Sequence, residues 1–526
     1  MSTQHVEVRR GQYHDSVTLL SVSRTVAAVD GIEAAQVAMA TPLNLDVLEG
    51  MGFELPALAP DDLVIALRFE AGLDQAGVDT ARSAALAAME AALTRRDEPG
   101  EAQQEPARTT GLALERKEAP LVVVSTPGAS AGAEAWDALQ AGSSVMLFSD
   151  NVSLDTEIAL KQEAARRGLL VMGPDCGTAV VGGVGLGFAN VVRPGPVSLV
   201  AASGTGAQQL LALLDAAGVG VRHCLGLGGR DLSANVGGLA AEQALRTLAK
   251  DEGTELVVLV SKPADSGVVS KLEELAASLG LAVEWAVLGP DSPDLTQAAE
   301  RVCERLGVQT PVWPTWPPAA PSGGTSTPSG DHEIPVQRAG ADQSLLRGLF
   351  AGGTLCDEAM ALAAAELGPV ASNIPLDESW PRLDASGPSA LKGALATAGH
   401  AFVDLGDDTM TVGRAHPMID PSLRLEAIEE AAQDARVRVI LLDVVLGHGA
   451  HDDPAGVHAP VIRAAIDRAA ADGRTLDVVV SLTATAGDPQ SRDASAETLA
   501  KAGAAVHLSN AEATRAAVAL IRGESR

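Results

Sequence analysis

The chain of 526 residues is too long for one hydrophobic core and predicts about three to four domains. Apolar residues make up 46% of the sequence, and 53 glycines with 29 prolines divide it into short segments, which is typical of a globular α/β protein with many turns. The formal net charge of −30 excludes nucleic acids and anionic membranes as partners, because their phosphates would repel the chain.

Residues 1–94 predict a small α+β module of the ferredoxin-like type. VEVRR, IEAAQVAMAT and DLVIALRF have the composition of strands, and DSVTLLSVSRTVAAVDG and DTARSAALAAMEAAL that of helices. Arg9, Arg10, Tyr13 and His14 form a polar cluster before the first helix. We assign this cluster a structural or assembly role rather than a chemical one. The charged residues 95–118 predict a loop.

A regular alternation of strands and helices occupies residues 121–308 and predicts a parallel sheet covered on both faces. The strand segments are LVVVST, SVMLFS, LLVMGP, VSLVAAS, HCLGLG, ELVVLVS and AVEWAVLG. Right-handed crossovers place the turns after these strands on one edge of the sheet, where ligands of open α/β sheets bind.

Residues 309–340 predict a linker, because Pro, Gly, Ser and Thr dominate them without periodicity. The alternation resumes in residues 341–526, with strands HAFVDLG, VRVILLDVVLG, LDVVVSLTAT and AVHLS. The predicted fold is therefore α/β, with tandem Rossmann- or flavodoxin-like parallel-sheet domains after the small N-terminal module.

The strand VSLVAAS runs into a helix through Ser203, Gly204, Thr205 and Gly206. The glycines let the backbone approach a ligand, and the free N–H groups, the hydroxyls and the positive end of the helix dipole favour an anion. We predict a phosphate site at this turn. The alternative is a plain N-cap with a tight turn.

A second turn, LGHGAHDDPAGVHAP at residues 446–460, joins a strand to a helix. Gly447 and Gly449 bracket His448, and His451 follows, so these imidazoles could bind an oxyanion, transfer a proton or accept a phosphoryl group. The alternative is that the histidines of this turn are solvent-facing loop residues. His416 and Arg414, in GDDTMTVGRAHPMID, are further candidates for contact with an anion.

Weaker signals come from three other glycine-rich segments. Cys176 in GPDCGTAVVGGVGLGF is interpreted as a buried turn cysteine, and it stays a candidate for substrate contact. Arg230 and Asn235 in HCLGLGGRDLSANVGG could hold a carbonyl or carboxylate, although Asn is also an ordinary turn residue. FAGGTL, at residues 350–355, echoes the Ser203–Gly206 turn and suggests a remnant of duplication.

The four cysteines are scattered without a CxxC pair, which predicts neither a disulfide framework nor a metal site and fits a reducing cytosol. No run approaches the ~18 apolar residues of a membrane helix, and the first residues lack an apolar signal core. We therefore expect a soluble, cytoplasmic protein. Walker A and HExxH motifs do not occur in the sequence, so we expect no nucleotide to be bound by this chain alone.

The order of these motifs resembles the succinyl-CoA ligase superfamily, and most closely its FdrA branch. MGPDCG, VSLVAASGTGAQQ and HCLGLGGRDLSAN stand where the α subunit has its GPNCPG, strand–SGT–helix and VGIGGDP segments. HAFVDLGDDT and RVRVILLDVVLGHGAHDDPAG stand where the β subunit has its LDVGG strand and a glycine turn before a phosphate-facing helix. The resemblance implies a truncated CoA-binding-like domain at 119–195, an α-type ligase domain at 196–308 and a β-type ligase domain at 341–526. In that superfamily two such turns converge on one phosphoryl group, which implies that Gly447 and Gly449 form a second phosphate-binding turn facing the Ser203–Gly206 turn, with His448 beside the phosphate.

The resemblance also implies a function. The loop that bears the superfamily's phosphorylated histidine and the ATP-grasp domain have no counterpart in the sequence. The FdrA branch resembles a subunit of oxamate carbamoyltransferase, and this implies a carbamoyl- or acyl-phosphate-dependent transferase that works with other protein subunits on a small anionic substrate. The alternatives are a succinyl-CoA-ligase-like component without its own nucleotide domain, for which CoA would be a substrate, and a non-catalytic scaffold.

Overall fold

The computed structural model describes residues 4–12, 14, 16–56, 58–59, 61–70, 72–94, 107–289, 292–319, 344–411 and 414–523. They belong to two compact units, one of residues 1–107 with 412–415 and one of residues 108–411 with 416–526. Within these ranges, a helix with the length and apolar character needed to span a membrane is not found.

The first unit is the predicted α+β module. Its elements are β1 (Gln4–Arg9), α1 (Ser16–Ala27), β2 (Ile32–Met39), α2 (Pro42–Gly50), β3 (Leu63–Phe69) and α3 (Gln75–Thr94). The strands form an antiparallel sheet in the order β1-β3-β2. Alternate residues of β3 face opposite sides, so Leu63, Ile65 and Leu67 pack with α1 and α3, while Val64 and Ala66 pack with Leu48 of α2.

The second unit begins with a small parallel sheet in the order β4-β5-β6. Its elements are α4 (Thr110–Arg116), β4 (Leu121–Val124), α5 (Gly128–Gln140), β5 (Ser144–Leu147), α6 (Leu154–Arg167) and β6 (Val171–Met172). A hairpin of β7 (Thr178–Val181) and β8 (Val184–Gly187) follows. Gly182 and Gly183 form its turn, both with positive φ. The glycine-rich segment, predicted as a loop, is therefore a hairpin.

This hairpin joins a six-stranded sheet in the order β12-β11-β9-β10-β7-β8. The boundary predicted at residue 195 therefore falls inside a sheet, because β7 pairs with β10. The sheet's other elements are β9 (Val197–Ala202), α7 (Gly204–Ala216), β10 (Val221–Gly226), α8 (Leu239–Leu248), β11 (Leu256–Ser261), α9 (Ser266–Leu279), β12 (Val283–Val287) and α10 (Leu295–Arg305).

A seven-stranded sheet in the order β13-β19-β18-β17-β14-β16-β15 completes the unit. Its elements are β13 (Thr315–Trp316), β14 (Leu345–Phe350), α11 (Gly353–Leu367), β15 (Ala371–Ser372), α12 (Pro388–Thr397), β16 (Ala401–Asp404), α13 (Asp408–Thr411), α14 (Ser422–Gln433), β17 (Val437–Val445), α15 (Pro454–Ala471), β18 (Asp477–Thr483), α16 (Arg492–Lys501), β19 (Ala504–His507) and α17 (Asn510–Arg522).

The predicted fold class is confirmed, and two further details differ from the expectation. The first residues of the expected linker at 309–340 are packed, because Trp313 is 4% exposed and β13 pairs antiparallel with β19. Residues 320–340 of that linker lie outside the described residues. The strand β14 had not been predicted at all.

A single apolar core joins the six- and seven-stranded sheets. α7 is buried along nearly its whole length, and its leucines pack in one cluster with residues of β9, β14, α11 and β17. Hydrogen bonds also join the two sheets. Gln209 donates to the carbonyl of Leu508 and accepts from the hydroxyl of Thr483. Asn190 donates to Oδ2 of Asp488. The two sheets are therefore held rigidly enough to build one site between them.

Candidate functional site

The carboxyl ends of four strands surround the start of two helices. In the six-stranded sheet, Ala202 of β9 pairs with Ser261 of β11, so that Ser203 and Lys262 leave neighbouring strands side by side. In the seven-stranded sheet, Phe350 of β14 pairs with Asp404 of β16. Each sheet thus presents a helix start and a charged side chain at the edge where α/β proteins bind ligands.

The first helix start is the predicted Ser203–Gly206 turn. Ser203 is the N-cap of α7, and its Oγ accepts a hydrogen bond from the N–H of Gly206 at 2.9 Å. Its carbonyl accepts from Ala207. The capping alternative is therefore correct for this serine, and it does not close the site. Since the first N–H groups of a helix have no intrahelical acceptor, those of Gly204 and Thr205 remain directed outward.

The second helix start is the Gly352–Thr354 turn at the beginning of α11. Gly352 is the N-cap and supplies no side-chain cap. The N–H groups of Ala351 and Gly352 donate to Oδ1 and Oδ2 of Asp443, both at 2.8 Å. The next N–H groups, starting at Gly353, are left at the open end of the helix.

These two helix starts meet. Ser203 Oγ donates to Thr354 Oγ1 at 2.7 Å. A Cβ atom on Gly352 would lie 2.8 Å from Thr205 Oγ1 and 2.9 Å from its Cβ, so that only glycine fits there. The positive ends of the two helices therefore lie side by side, and each carries roughly half a positive charge.

Lys262 supplies a full positive charge beside the two helix starts. Its Nζ would lie 2.9 Å from a Cβ on Gly353, and it is 3.8 Å from Oδ2 of Asp357. The side chain is 40% exposed, so a ligand can reach it. Although burial lowers the pKa of Lys262, Asp357 and Asp404 outweigh that effect and raise it, which keeps the ammonium charged.

Two buried carboxyl groups lie close to Lys262. Asp404 and Asp357 are each 5% exposed. Burial raises the pKa of Asp404 to about 8 and that of Asp357 to about 6, with Lys262 opposing the shift in both. At neutral pH the carboxyl of Asp404 therefore retains its proton.

The catalytic candidate His416 lies at these strand ends. Its Nε2 would lie 2.6 Å from a Cβ on Gly406, the residue whose N–H donates to Oδ1 of Asp404. Its Nδ1 accepts from the N–H of Met418 at 3.2 Å, so Nε2 carries the proton of the neutral ring. Burial, followed by the charge of Arg424, lowers the pKa of His416 and keeps the ring neutral.

The 446–460 turn takes a different place from the one expected. Gly447 and His448 lie against residues 187–190, where the N–H of His448 donates to the carbonyl of Ala189 at 2.8 Å. The N–H of Gly447 donates to Oε1 of Gln490. Gly449 packs against Phe188, and His448 itself is exposed. Protein acceptors thus occupy this backbone, and the partner of the Ser203–Gly206 turn is the Gly352–Thr354 turn instead.

Arg230, Asn235 and Cys176 are not part of the two helix starts. Arg230 binds Glu157 Oε2 at 3.0 Å and the carbonyl of Val152 at 2.8 Å, and Asn235 is exposed in the following turn. Arg414 is exposed in the 412–415 segment that belongs to the first unit. Cys176 is 2% exposed, and burial raises the pKa of its thiol, so it is an inert core residue rather than a ligand of the site.

Sequence reasoning missed Gly352, Gly353, Lys262 and Asp404 as site residues. The signal for the glycines was present, because FAGGTL has the same strand–glycine–Thr–helix pattern as VAASGTG. The pattern was interpreted only as a remnant of duplication, and the strand before it, LLRGLF with Arg347, was not predicted. Arg347 is in fact 2% exposed and donates to the carbonyls of Leu395 and Ala398, which satisfies its charge inside the sheet.

Comparison with known proteins gives two matching family models. Residues 349–520 match the CoA-ligase family, and residues 1–109 match the family described as AllF, heavy metal-associated domain. Residues 1–109 contain no cysteine, and within the described ranges no three His, Cys, Asp or Glu side chains gather in a way that could hold a metal ion. The residues present therefore do not fit the heavy metal that the second description implies.

The proteins that are similar to the chain include two curated proteins and one solved structure. The uncharacterized protein YahF of Escherichia coli K12 is 36% identical over 509 residues, which are 95% of each chain. The α subunit of the ADP-forming succinate–CoA ligase of Methanothermobacter thermautotrophicus is 24% identical over 174 residues, 32% of this chain and 58% of that one. Acetyl-coenzyme A synthetase 1 of Ca. Korarchaeum cryptofilum, solved with phosphate and ADP, covers 80% of this chain and 87% of its own at 12% identity; its TM-score of 0.28 is too low to support a functional comparison.

Proposed function

The chain belongs to the family of the Escherichia coli protein YahF, and because it also contains a CoA-ligase domain, we propose that it is a component of an acid–thiol ligase of the succinyl-CoA ligase type. In this proposal the chain holds the phosphoryl group of an acyl phosphate between the starts of α7 and α11. The match to a succinate–CoA ligase α subunit supports the same class of reaction.

The meeting of the two helix starts is the observation that carries the proposal. An acyl phosphate releases phosphate when a nucleophile attacks its carbonyl carbon, and negative charge grows on the leaving oxygen. Two helix ends and the ammonium of Lys262 face this charge without having to rearrange, which is the condition for electrostatic catalysis. In this proposal the chain binds the phosphate and stabilises it as the leaving group.

The same geometry suits more than one acyl phosphate. The resemblance to the FdrA branch implies carbamoyl phosphate with oxamate as acceptor, whereas the CoA-ligase domain favours an acyl phosphate with a thiol such as CoA. The comparisons support the thiol more strongly, and we therefore rank carbamoyl transfer second. Formation of the acyl phosphate from ATP is assigned by this proposal to a partner subunit.

Calorimetric titration of the purified protein with inorganic phosphate, acetyl phosphate, carbamoyl phosphate and CoA tests the proposal. Lys262→Met removes the one ammonium described at the two helix starts, and we expect phosphate and acyl phosphates to bind at least about tenfold more weakly, since a charged hydrogen bond contributes roughly 1.5–3 kcal/mol. Lys271→Met is the matched control, because Lys271 is 52% exposed and pairs with Glu242 on the surface.

The two outcomes differ clearly. Binding of phosphate by the wild-type protein and by Lys271→Met, with loss in Lys262→Met, supports the anion site. Equal affinity in all three proteins would place the anion elsewhere and would remove the basis of the proposal. Binding of carbamoyl phosphate without any binding of CoA would favour the transferase over the thiol ligase.

A further inference from the structure

Asp404 ends β16 with one carboxylate oxygen satisfied and the other directed at the start of α11. Oδ1 accepts a hydrogen bond from the N–H of Gly406 at 2.9 Å. Oδ2 would lie 2.6 Å from a Cβ on Gly353, and among the described residues it has no hydrogen-bond donor. Asp404 is 5% exposed. A carboxyl oxygen of a buried residue that has no protein donor is a place where a ligand or water can complete the bonding.

An ionised carboxylate at this position would repel the anion that the helix starts attract. Burial raises the pKa of Asp404 to about 8, and Asp357 and Asp407 act in the same direction, whereas Lys262 and the N–H of Gly406 oppose them. A protonated carboxyl has an O–H donor, so the same side chain changes from a repelling group to a hydrogen-bond donor when it gains a proton.

Building on the phosphoryl site proposed above, we propose that the protonated carboxyl of Asp404 donates a hydrogen bond from Oδ2 to the bound phosphoryl group. Asp404 is then a substrate-binding residue that neither the CoA-ligase model nor the resemblance assigns. Binding of the anion and retention of this proton become one linked event.

The sign of the pH dependence follows from that linkage. Below the pKa of Asp404, at about 8, the donor is present and affinity is full; above it, each binding event must take up one proton, so affinity falls about tenfold per pH unit. Within pH 7–9 the other groups around Asp404 whose pKa is shifted keep their charge: Lys262 is raised, Asp357 is raised only to about 6, His416 is lowered and Cys356 is raised well above its usual range. Asp407 lies in the turn after β16, where its Oδ1 accepts hydrogen bonds from the N–H and the hydroxyl of Thr409.

The experiment titrates the full chain with sulfate from pH 7 to pH 9.5, because the charge of sulfate does not change in this window. For the wild-type protein we expect a flat affinity near pH 7 and a tenfold loss per pH unit above about 8. Asp404→Asn keeps an oxygen for the N–H of Gly406 and offers an amide donor at every pH, so its affinity should stay flat. Asp357→Asn is the matched control and should keep the wild-type slope, even if its absolute affinity differs.

A wild-type affinity that does not change between pH 7 and pH 9.5 would overturn the role of Asp404, whatever the variants do. The same slope in Asp404→Asn as in the wild-type protein would overturn it too. If the wild-type protein binds sulfate at no pH, the proposed anion site itself fails, and this result is distinguishable from the other two. Because the wild-type profile alone is decisive, the test does not depend on the folding of a variant.

Discussion

At the scale of single residues, the absence of a side chain at Gly352 decides whether the two helix starts can meet. Its φ of −108° is open to any residue, so the requirement for glycine does not come from the backbone. It comes from Thr205, whose Cβ, Oγ1 and Cγ2 all lie within 2.9 Å of the place that a Cβ would take. Space between two helices, rather than local conformation, therefore fixes this residue.

We predict that Gly352→Ala separates α7 from α11 and weakens binding of phosphate at least about tenfold, with a loss of about 1–3 kcal/mol in the free energy of unfolding from overpacking. Calorimetry with phosphate and urea unfolding measure the two effects. Gly393→Ala in α12 is the control, because a Cβ there meets no atom within 4 Å. If Gly352→Ala binds phosphate as tightly as the control, the close approach is irrelevant to the site.

Some residues of the candidate site are predictable from the sequence alone, and others are not. Ser203, Gly204, Thr205 and Gly206 were predictable, because one strand, one glycine turn and one helix are contiguous in sequence. Lys262 and Asp404 were not, because each is an ordinary polar residue at a strand end, and only the pairing of parallel strands reveals what lies beside it.

At the scale of elements, the start of α11 is held by a buried ion pair. Asp443, at the end of β17, accepts from Ala351 and Gly352 and from Nη1 of Arg424 at 2.8 Å. Arg424 in turn donates from Nε to Nε2 of His458 at 3.0 Å. α14, α15 and β17 thus join in fixing the orientation of one helix end.

We predict that Asp443→Asn destabilises the protein by about 3–5 kcal/mol, because it leaves Arg424 buried without a counter-ion. Asp477→Asn is the control: its ion pair with Arg438 is 29% and 23% exposed on the two sides, and such pairs contribute about 0–1 kcal/mol. Urea unfolding of both variants gives the comparison. Equal, small losses would mean that the buried pair does not hold the start of α11.

The strands and helices of the seven-stranded sheet also explain the error over the 446–460 turn. Both this turn and the Gly352–Thr354 turn follow buried parallel strands, and both lead into helices. The sequence pattern is therefore the same for the two. Their strands, β14 and β17, are neighbours in the sheet. The two turns differ in three dimensions, because α11, not α15, packs against α7. Which helix start faces the partner sheet is a property of packing that local sequence does not contain.

At the scale of the whole molecule, the fold class was predictable from the alternation of strands and helices. The domain boundary after residue 195 was not, because the β7–β8 hairpin extends the six-stranded sheet backwards across it. The N-terminal unit adds a second, separate fold, and the residues of the proposed site all belong to the other unit. The account of function therefore depends on how residues 108–411 and 416–526 pack together.

The central claim is that one anion binds between the starts of α7 and α11. A crystal structure of the protein soaked with tungstate, a phosphate analogue with a strong anomalous signal, tests it most directly. We predict one ordered anion within hydrogen-bond distance, about 2.7–3.2 Å, of the N–H groups of Thr205 and Thr354 and beside Nζ of Lys262. An ordered anion at Gly447–Gly449 instead, with no anion between Thr205 and Thr354, would contradict the account.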